Sequence, residues 1–257
     1  MKFIDAHCHL DGGHYADLSS VLKRARAVGV EKIITAGCDL KSSELCKNIS
    51  EEYDFVYFTA GYHPTELNKY REGDLEKIAK LCMHKKCVAL GEIGLDYHYE
   101  DTDKPKQKKF FEEQLKLAHE LHLPVQIHSR DSAADTLAIL KERAGIITDG
   151  ALMHCFSYST EIASEFSKLG VYFSFGGTST YKSGKKARRT IRALSDDRLI
   201  TETDSPYLSP ESKRGVFPNT PESIPEIAET MADARGCGVA EITERIWENA
   251  HRLFSKL

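Results

Sequence analysis

The chain of 257 residues carries 35 Lys plus Arg against 39 Asp plus Glu, a formal charge of −4, with 41% hydrophobic and 29% charged residues. That composition excludes a disordered chain, a collagen and a coiled coil, and the length suits one domain over residues 1–257 with an ample buried core. The longest uncharged stretch, Leu169 to Tyr181, is rich in Gly, Ser and Thr and falls short of the ~18 apolar residues of a spanning helix, so no membrane association is expected.

The opening residues MKFIDAHCHL place an acid and two histidines where a secretory leader has its apolar run, so a cytoplasmic location is expected. Cysteines at 8, 38, 46, 82, 87, 155 and 237 are irregularly spaced with no Cys-x-x-Cys pair. Free thiols in a reducing compartment follow, rather than a disulfide framework or a zinc knuckle.

Eight short apolar runs are predicted as strands: Phe3–Ala6, Ile33–Ala36, Phe55–Ala60, Val88–Leu90, Val125–Ile127, Ala151–Met153, Val171–Phe175 and Leu199–Thr201. They start about 28 residues apart, which leaves room for a helix and two loops between each pair. Helical spacing marks Leu18-Val21-Leu22-Ala25, Leu75-Ile78-Ala79-Cys82, Phe111-Leu115-Ala118-Leu121 and Ile162-Phe166-Leu169. Repeated strand and helix units imply parallel strands with helical crossovers. Eight of them in this length, with no G-x-G-x-x-G after the first strand, predict an α/β fold of the TIM (β/α)8 barrel type. After the eighth strand come an irregular stretch, Ser205 to Pro225, and two closing helices; the last has Ile242, Ile246, Ala250, Leu253 and Phe254 on one stripe, with Trp247 read as packing.

Potential ligands recur at the carboxyl ends of these strands: His7 and His9, His63, Glu92, His128, His154 and Asp204. In a closed barrel those ends converge on one mouth, where barrel active sites are built. His7 and His9 are two apart and share a face of their strand. Six ligands exceed what one tetrahedral ion takes, so two divalent ions are expected. His7, His9 and Asp204 would hold one, His128 and His154 the other, with Glu92 bridging them at ~3.5–4 Å. The mixed nitrogen and oxygen set accepts Zn²⁺, Mn²⁺, Fe²⁺ or Ni²⁺, and Mg²⁺ where carboxylates dominate.

Such a site activates water, and Asp204 is placed to take the water's proton. His63 is open to two readings, a donor to a substrate oxygen or a loop histidine held by Pro64. Arg130 is either a phosphate contact or half of a structural ion pair. The basic clusters Lys104, Lys106, Lys108, Lys109 and Lys182, Lys185, Lys186, Arg188, Arg189 are read as solvated helix faces or as guides for a polyanion. Tyr97, Tyr99, Phe175 and Tyr181 are read either as base-stacking rings or as barrel packing. The net acidity argues against a broad nucleic-acid groove, yet two divalent ions at the mouth would offset it.

Asp5-Ala6-His7-Cys8-His9-Leu10-Asp11, Gly61-Tyr62-His63-Pro64, Gly91-Glu92-Ile93-Gly94-Leu95-Asp96-Tyr97, His128-Ser129-Arg130-Asp131, His154-Cys155-Phe156-Ser157, Glu202-Thr203-Asp204-Ser205-Pro206-Tyr207 and Asn249-Ala250-His251-Arg252-Leu253-Phe254 together resemble the TatD-type metal-dependent deoxyribonucleases. The resemblance covers essentially the whole chain. It implies a divalent-metal-dependent hydrolase of DNA phosphodiesters, acting as a 3′-5′ exonuclease on single strands or 3′ ends, with His7, His9, Glu92, His128, His154 and Asp204 as metal ligands. No obligate protein partner is implied. Two positions depart from the family pattern: Tyr158 stands where a glycine is usual and is expected to narrow the pocket, and the element with Arg214, Gly215, Asn219 and Pro221 is one residue longer, which alters the reach of Arg214. Two other classes compete with the nuclease. One is an amidohydrolase-type cleavage of an amide, lactone or aminoacyl ester at the same metals, disfavoured because Ala89-Leu90-Gly91-Glu92 offers no lysine to carboxylate. The other is a non-catalytic binding barrel, disfavoured because all six ligands are present.

Overall fold

A computed structural model describes residues 1–257. Eight parallel strands, β1 (Phe3–Cys8), β2 (Val30–Ala36), β3 (Val56–Ala60), β4 (Cys87–Asp96), β5 (Val125–Arg130), β6 (Ala151–Met153), β7 (Tyr172–Phe175) and β8 (Leu199–Thr201), pair in chain order. Around them lie α1 (Leu18–Ala27), α2 (Leu40–Glu52), α3 (Asp74–Cys82), α4 (Lys104–Glu120), α5 (Ala133–Glu142), α6 (Thr160–Ser167) and α7 (Lys185–Ala193), followed by α8 (Ile224–Arg235) and α9 (Val239–Leu253). This is the expected (β/α)8 barrel. No helix is long and apolar enough to cross a membrane.

Local chemistry starts several of the helices. Asp17, Asp39 and Asp103 each accept from a backbone N–H three residues on, at 3.0, 2.7 and 3.0 Å, and Ser42 returns the bond to Asp39, closing a capping box. The apolar stripes then pack onto the strands in one continuous core that includes Leu22, Ile78, Phe111, Leu115 and Phe166. Burying each such side chain contributes ~1.5–3 kcal/mol.

The β1–β8 seam is closed by other means than a ladder. Thr201 Oγ1 donates to Ile4 O at 2.7 Å, the Thr203 N–H and hydroxyl reach Asp5 at 2.9 and 2.5 Å, and the Asp204 N–H reaches His7 O at 2.9 Å. Helix α9 covers this seam, and its Asn249 amide donates to Leu199 O at 2.9 Å. Trp247 on the same helix is half-buried against the core, as expected.

Three strands run further at their carboxyl ends than their apolar runs, β1 to Cys8, β5 to Arg130 and, above all, β4 to Asp96, while β2 starts three residues earlier than its run, at Val30. Glycines and ionisable residues look like strand ends in the sequence. In the barrel those polar side chains face a shared polar cluster, so the pairing continues. Opposite the step from Leu90 to Ile93, β5 advances only from Val125 to Ile127, a bulge that re-aims Glu92. Gly91 and Gly94 permit the approach: a Cβ on Gly91 would lie 2.7 Å from Gln126 Cβ, and on Gly94, at φ +143°, 1.9 Å from His128 O.

Candidate active site

Glu92 is the centre of the mouth, buried and surrounded by histidines on both sides. Its Oε1 faces His154 Nε2 at 2.8 Å, His128 Nδ1 at 2.9 Å and His63 Nε2 at 3.4 Å. Its Oε2 faces His7 Nε2 at 3.4 Å and His9 Nε2 at 3.8 Å. Asp204 Oδ1 closes the second side, 3.4 Å from His9 Nε2 and 3.8 Å from His7 Nε2. All seven residues expected at the strand ends therefore meet around one carboxylate.

Four sets of three lie within ligation reach of one another, His7-His9-Asp204, His7-His154-Glu202, His9-Cys38-Glu92 and His63-Glu92-His128, and Glu92 belongs to two of them. The His154 ring is stacked on His7 with centroids 4.0 Å apart. His7 Nε2 is buried with no hydrogen-bond partner although it points at two carboxylates. An orphaned imidazole nitrogen among carboxylates is a donor set that fits a cation.

Outer contacts fix how the rings turn. His7 Nδ1 meets Gln126 Oε1 at 2.9 Å, His9 Nδ1 meets Ala36 O at 3.2 Å, and His128 Nε2 meets Asp96 Oδ2 at 3.0 Å. Each leaves the opposite nitrogen directed at Glu92, the arrangement by which ligating histidines are oriented. His63 differs: its Nδ1 accepts from the Thr65 N–H at 3.2 Å, so its ring proton belongs on Nε2, facing Glu92.

The ionisation states follow from these neighbours. Burial alone would raise Glu92, yet its interactions with the surrounding imidazoles of His154, His63 and His7 and the bond from His128 hold it well below its ordinary value. Asp204 is likewise pushed up by burial and pulled down further by His9, His154 and His7, so its net shift is downward. Burial pushes His63 down to about 3 and, with the His7 charge, His154 down to about 4. His128 resists burial because Asp96 and Glu92 bond to it, and it stands at about 9.

Several participants were not singled out as site residues in the sequence. Cys38 Sγ, just past β2, lies 3.7 Å from both His9 Nδ1 and Glu92 Oε2. Glu202 is fully buried, accepting from the Cys155 N–H at 2.7 Å and the Ser174 hydroxyl at 2.6 Å, and burial raises it to about 8. Asp5, Gln126 and Glu202 each precede a site residue by two positions; for Asp5 with His7 and Gln126 with His128 that period places both on one face of a strand, while Glu202 and Asp204 lie just past β8.

The open readings separate. Arg130 is exposed at the end of β5, and its guanidinium makes no ion pair or hydrogen bond, so the structural-pair reading falls away. Phe175 is buried, Tyr97 donates to Asp135 at 2.8 Å with Lys104 over its ring, and Tyr181 donates to Ser209 O at 3.0 Å with Arg214 over its ring; these three are packing residues. Only Tyr99 of the four is exposed. Tyr158 does not point into the mouth as a plug: its hydroxyl ties Ser129 and the Ser132 N–H at 3.0 and 3.1 Å, bracing the turn beside His128. Arg214 is held over Tyr181 at 4.5 Å, which fixes its reach.

The two basic clusters also part. On α4, Lys108 pairs with Asp135 at 2.7 Å, Lys109 lies 3.9 Å from Glu113 and Lys106 donates to Leu67 O at 3.2 Å. Arg188 caps Ser179 O and Tyr181 O, and the Lys182 N–H donates to Glu211 at 3.1 Å, while the side chains of Lys182, Lys185, Lys186 and Arg189 make no ion pair.

A family model described as TatD related DNase matches residues 4–255. The chain belongs to the TatD family. It is therefore a metal-dependent hydrolase by family, and relatives agree with this. YabD of Bacillus subtilis, named an uncharacterized metal-dependent hydrolase, is 41% identical over 251 residues, covering 97% of this chain and 98% of that protein. The 3′-5′ ssDNA/RNA exonuclease TatD of Cronobacter sakazakii is 33% identical and covers 93% of this chain and 92% of its own. Among solved structures, the TatD homologue YjjV of Escherichia coli superposes with a TM-score of 0.92 at 32% identity, covering 98% of both chains.

Proposed function

We propose that this TatD family member hydrolyses DNA phosphodiester bonds as a 3′-5′ exonuclease on single strands, using two divalent ions, Mg²⁺, Mn²⁺ or Zn²⁺, in one barrel unit spanning residues 1–257. The observation that carries this reading is Glu92, whose two oxygens face different histidine sets while His7 Nε2 is left without a partner between carboxylates. His7, His9 and Asp204 would hold one ion, His128 and His154 the other, and Glu92 both. Divalent ions supply Lewis acidity there, lowering the pKa of water and stabilising charge on the phosphoryl and leaving oxygens.

The chain's own groups do the rest. Asp204 is ionised at neutral pH and on the solvent side of the cluster, where it accepts the proton released by the attacking water. Burial keeps His63 neutral with its proton on Nε2, so it acts as a hydrogen-bond donor to a phosphoryl or leaving oxygen. The unpaired Arg130 at the rim suits a second phosphate oxygen. The support for DNA over an acyl substrate is the exonuclease relative together with the ion-pair-free side chains of Lys182, Lys185, Lys186 and Arg189, which follow the carboxyl end of β7. Seven free thiols agree with a cytoplasmic setting.

Chelator-stripped protein reloaded with each ion, and assayed on 3′-labelled single-stranded DNA beside a panel of esters, lactones and amides, tests the reading. Bound metal is expected at two ions per chain, with nucleotides released from the 3′ end. Hydrolysis of an acyl substrate with no DNA cleavage under any ion would overturn it in favour of the amidohydrolase alternative.

A further inference from the structure

Exposed apolar side chains are scattered singly over most of this surface, at Met1, Val28, Leu45, Met83 and Tyr99. Four others, Tyr207, Leu208, Val216 and Phe217, come from the single loop that follows β8, with Tyr207 48% and Phe217 59% exposed. A contiguous exposed patch of this kind signals binding, whereas scattered residues do not.

This patch is aromatic and adjoins the cluster. The Tyr207 and Phe217 rings lie 6.3 Å apart, His14 from the β1–α1 loop stands edge-on to both at 6.1 and 5.5 Å, and Tyr207 is 6.1 Å from the His9 ring. The rings are held by a rigid loop. Asn219 Nδ2 donates to Tyr207 O at 2.9 Å and Thr203 O at 3.2 Å, the Ser209 hydroxyl to Val216 O at 2.6 Å, and Tyr15 to Asn219 O at 3.0 Å. Lys213 and Arg214 sit between the two aromatic residues in the loop; Arg214, 54% exposed, lies 3.4 Å from Glu211 and over Tyr181, and Lys213, 43% exposed, lies 4.0 Å from Glu222, so both are solvent-facing cations with surface acidic neighbours. Exposed rings near basic side chains are the composition by which proteins hold unpaired nucleotides, the rings taking bases and the cations phosphates.

We infer that Tyr207, Phe217 and His14 form a stacking platform for the base adjoining the scissile phosphodiester. The inference rests on the phosphodiester reading and deepens it: a base within a duplex has both faces covered, so the platform selects unpaired ends. Stacking tolerates every base, so little sequence preference accompanies it.

The test uses metal-loaded protein and a phosphorothioate-linked single strand carrying 2-aminopurine at successive positions from its 3′ end. One position is expected to be quenched on binding, and the quench to vanish in the Tyr207→Ala/Phe217→Ala double variant with a Kd weaker by about 5- to 100-fold. An abasic residue at that position should weaken binding to the native protein by a similar factor and add little in the double variant, while Tyr207→Trp restores the quench. Because both side chains are largely exposed, the double variant should keep the native Tm. Equal affinity and quench in native and double-variant protein, with DNA still cleaved, would overturn the platform alone. A native dimer made monomeric by the double substitution, with DNA binding unchanged, would overturn it in favour of an interface between copies. Absence of DNA binding and cleavage with an ester hydrolysed would overturn the phosphodiester reading and the platform with it.

Discussion

The two sides of Glu92 are built differently. Toward β3, β5 and β6 its Oε1 touches three imidazoles at 2.8–3.4 Å, and His128 and His154 also meet each other at 3.0 Å, so this half is knit by direct bonds. Toward β1 and β8 the contacts open to 3.4–3.8 Å, and His7 Nε2 has no bond at all. Each half holds one buried imidazole nitrogen without a partner, His7 Nε2 here and His154 Nδ1, 3.9 Å from Glu202, there, but only His7 Nε2 points at both Glu92 and Asp204. On that ground the β1–β8 side is proposed as the one more dependent on a bound cation. Its position over the seam explains how the gap is kept: Asp5, Thr203 and the Asp204 N–H fix both strands independently of the ligands.

The most damaging single change should be Glu92→Gln, which removes the charge both halves share. Cleavage is expected to fall by about 1,000-fold or more and bound metal to drop below one ion per chain by elemental analysis. Retention of two ions would show that the halves do not depend on this carboxylate. Next, Asp204→Asn strikes the β1–β8 half alone. The rate should fall ~100- to 10,000-fold while about one ion is retained, and full metal content with full rate would place the base elsewhere.

Asp96→Asn weakens the opposite half from outside, by loosening the bond that turns His128. Metal titration should show one of two binding steps weakened ~10- to 100-fold and the other nearly unmoved. Equal weakening of both steps would dissolve the distinction between the halves. The smallest effect is expected from Tyr158→Phe, which strips the hydroxyl from Ser129 and the Ser132 N–H beside His128. Urea unfolding should register a loss of about 1 kcal/mol with both ions still bound.

Much of this site could be read before any coordinates, because strand alternation and barrel closure are strict. His7 with His9, Glu92, His128, His154 and Asp204 each stood at a strand end, and eight strand ends have one meeting place. The supporting residues were harder to see. Asp5 and Gln126 obey the same period of two, but each lies inside an apolar run and looks like a polar interruption of a core strand, while Glu202 just past the eighth run looks like part of a polar loop. Cys38 ends the one strand among the first six that had offered no candidate, and a thiol among seven carries little signal by itself.

The amino-acid order alone determined the number of strand and helix units, their parallel sense and the residue types delivered to the mouth, since these depend on local periodicity and on which faces must be buried. Tertiary structure decided what sequence order does not encode. It extended β4 through Glu92 to Asp96 by way of a bulge and two glycines, and it joined β8 to β1 through Asp5 and Thr203. It also withdrew Tyr97, Phe175 and Tyr181 into packing while leaving Tyr207 and Phe217 exposed. The physical reason is common to all three: a side chain's partner across the barrel is set by register and closure, and those are properties of the whole sheet.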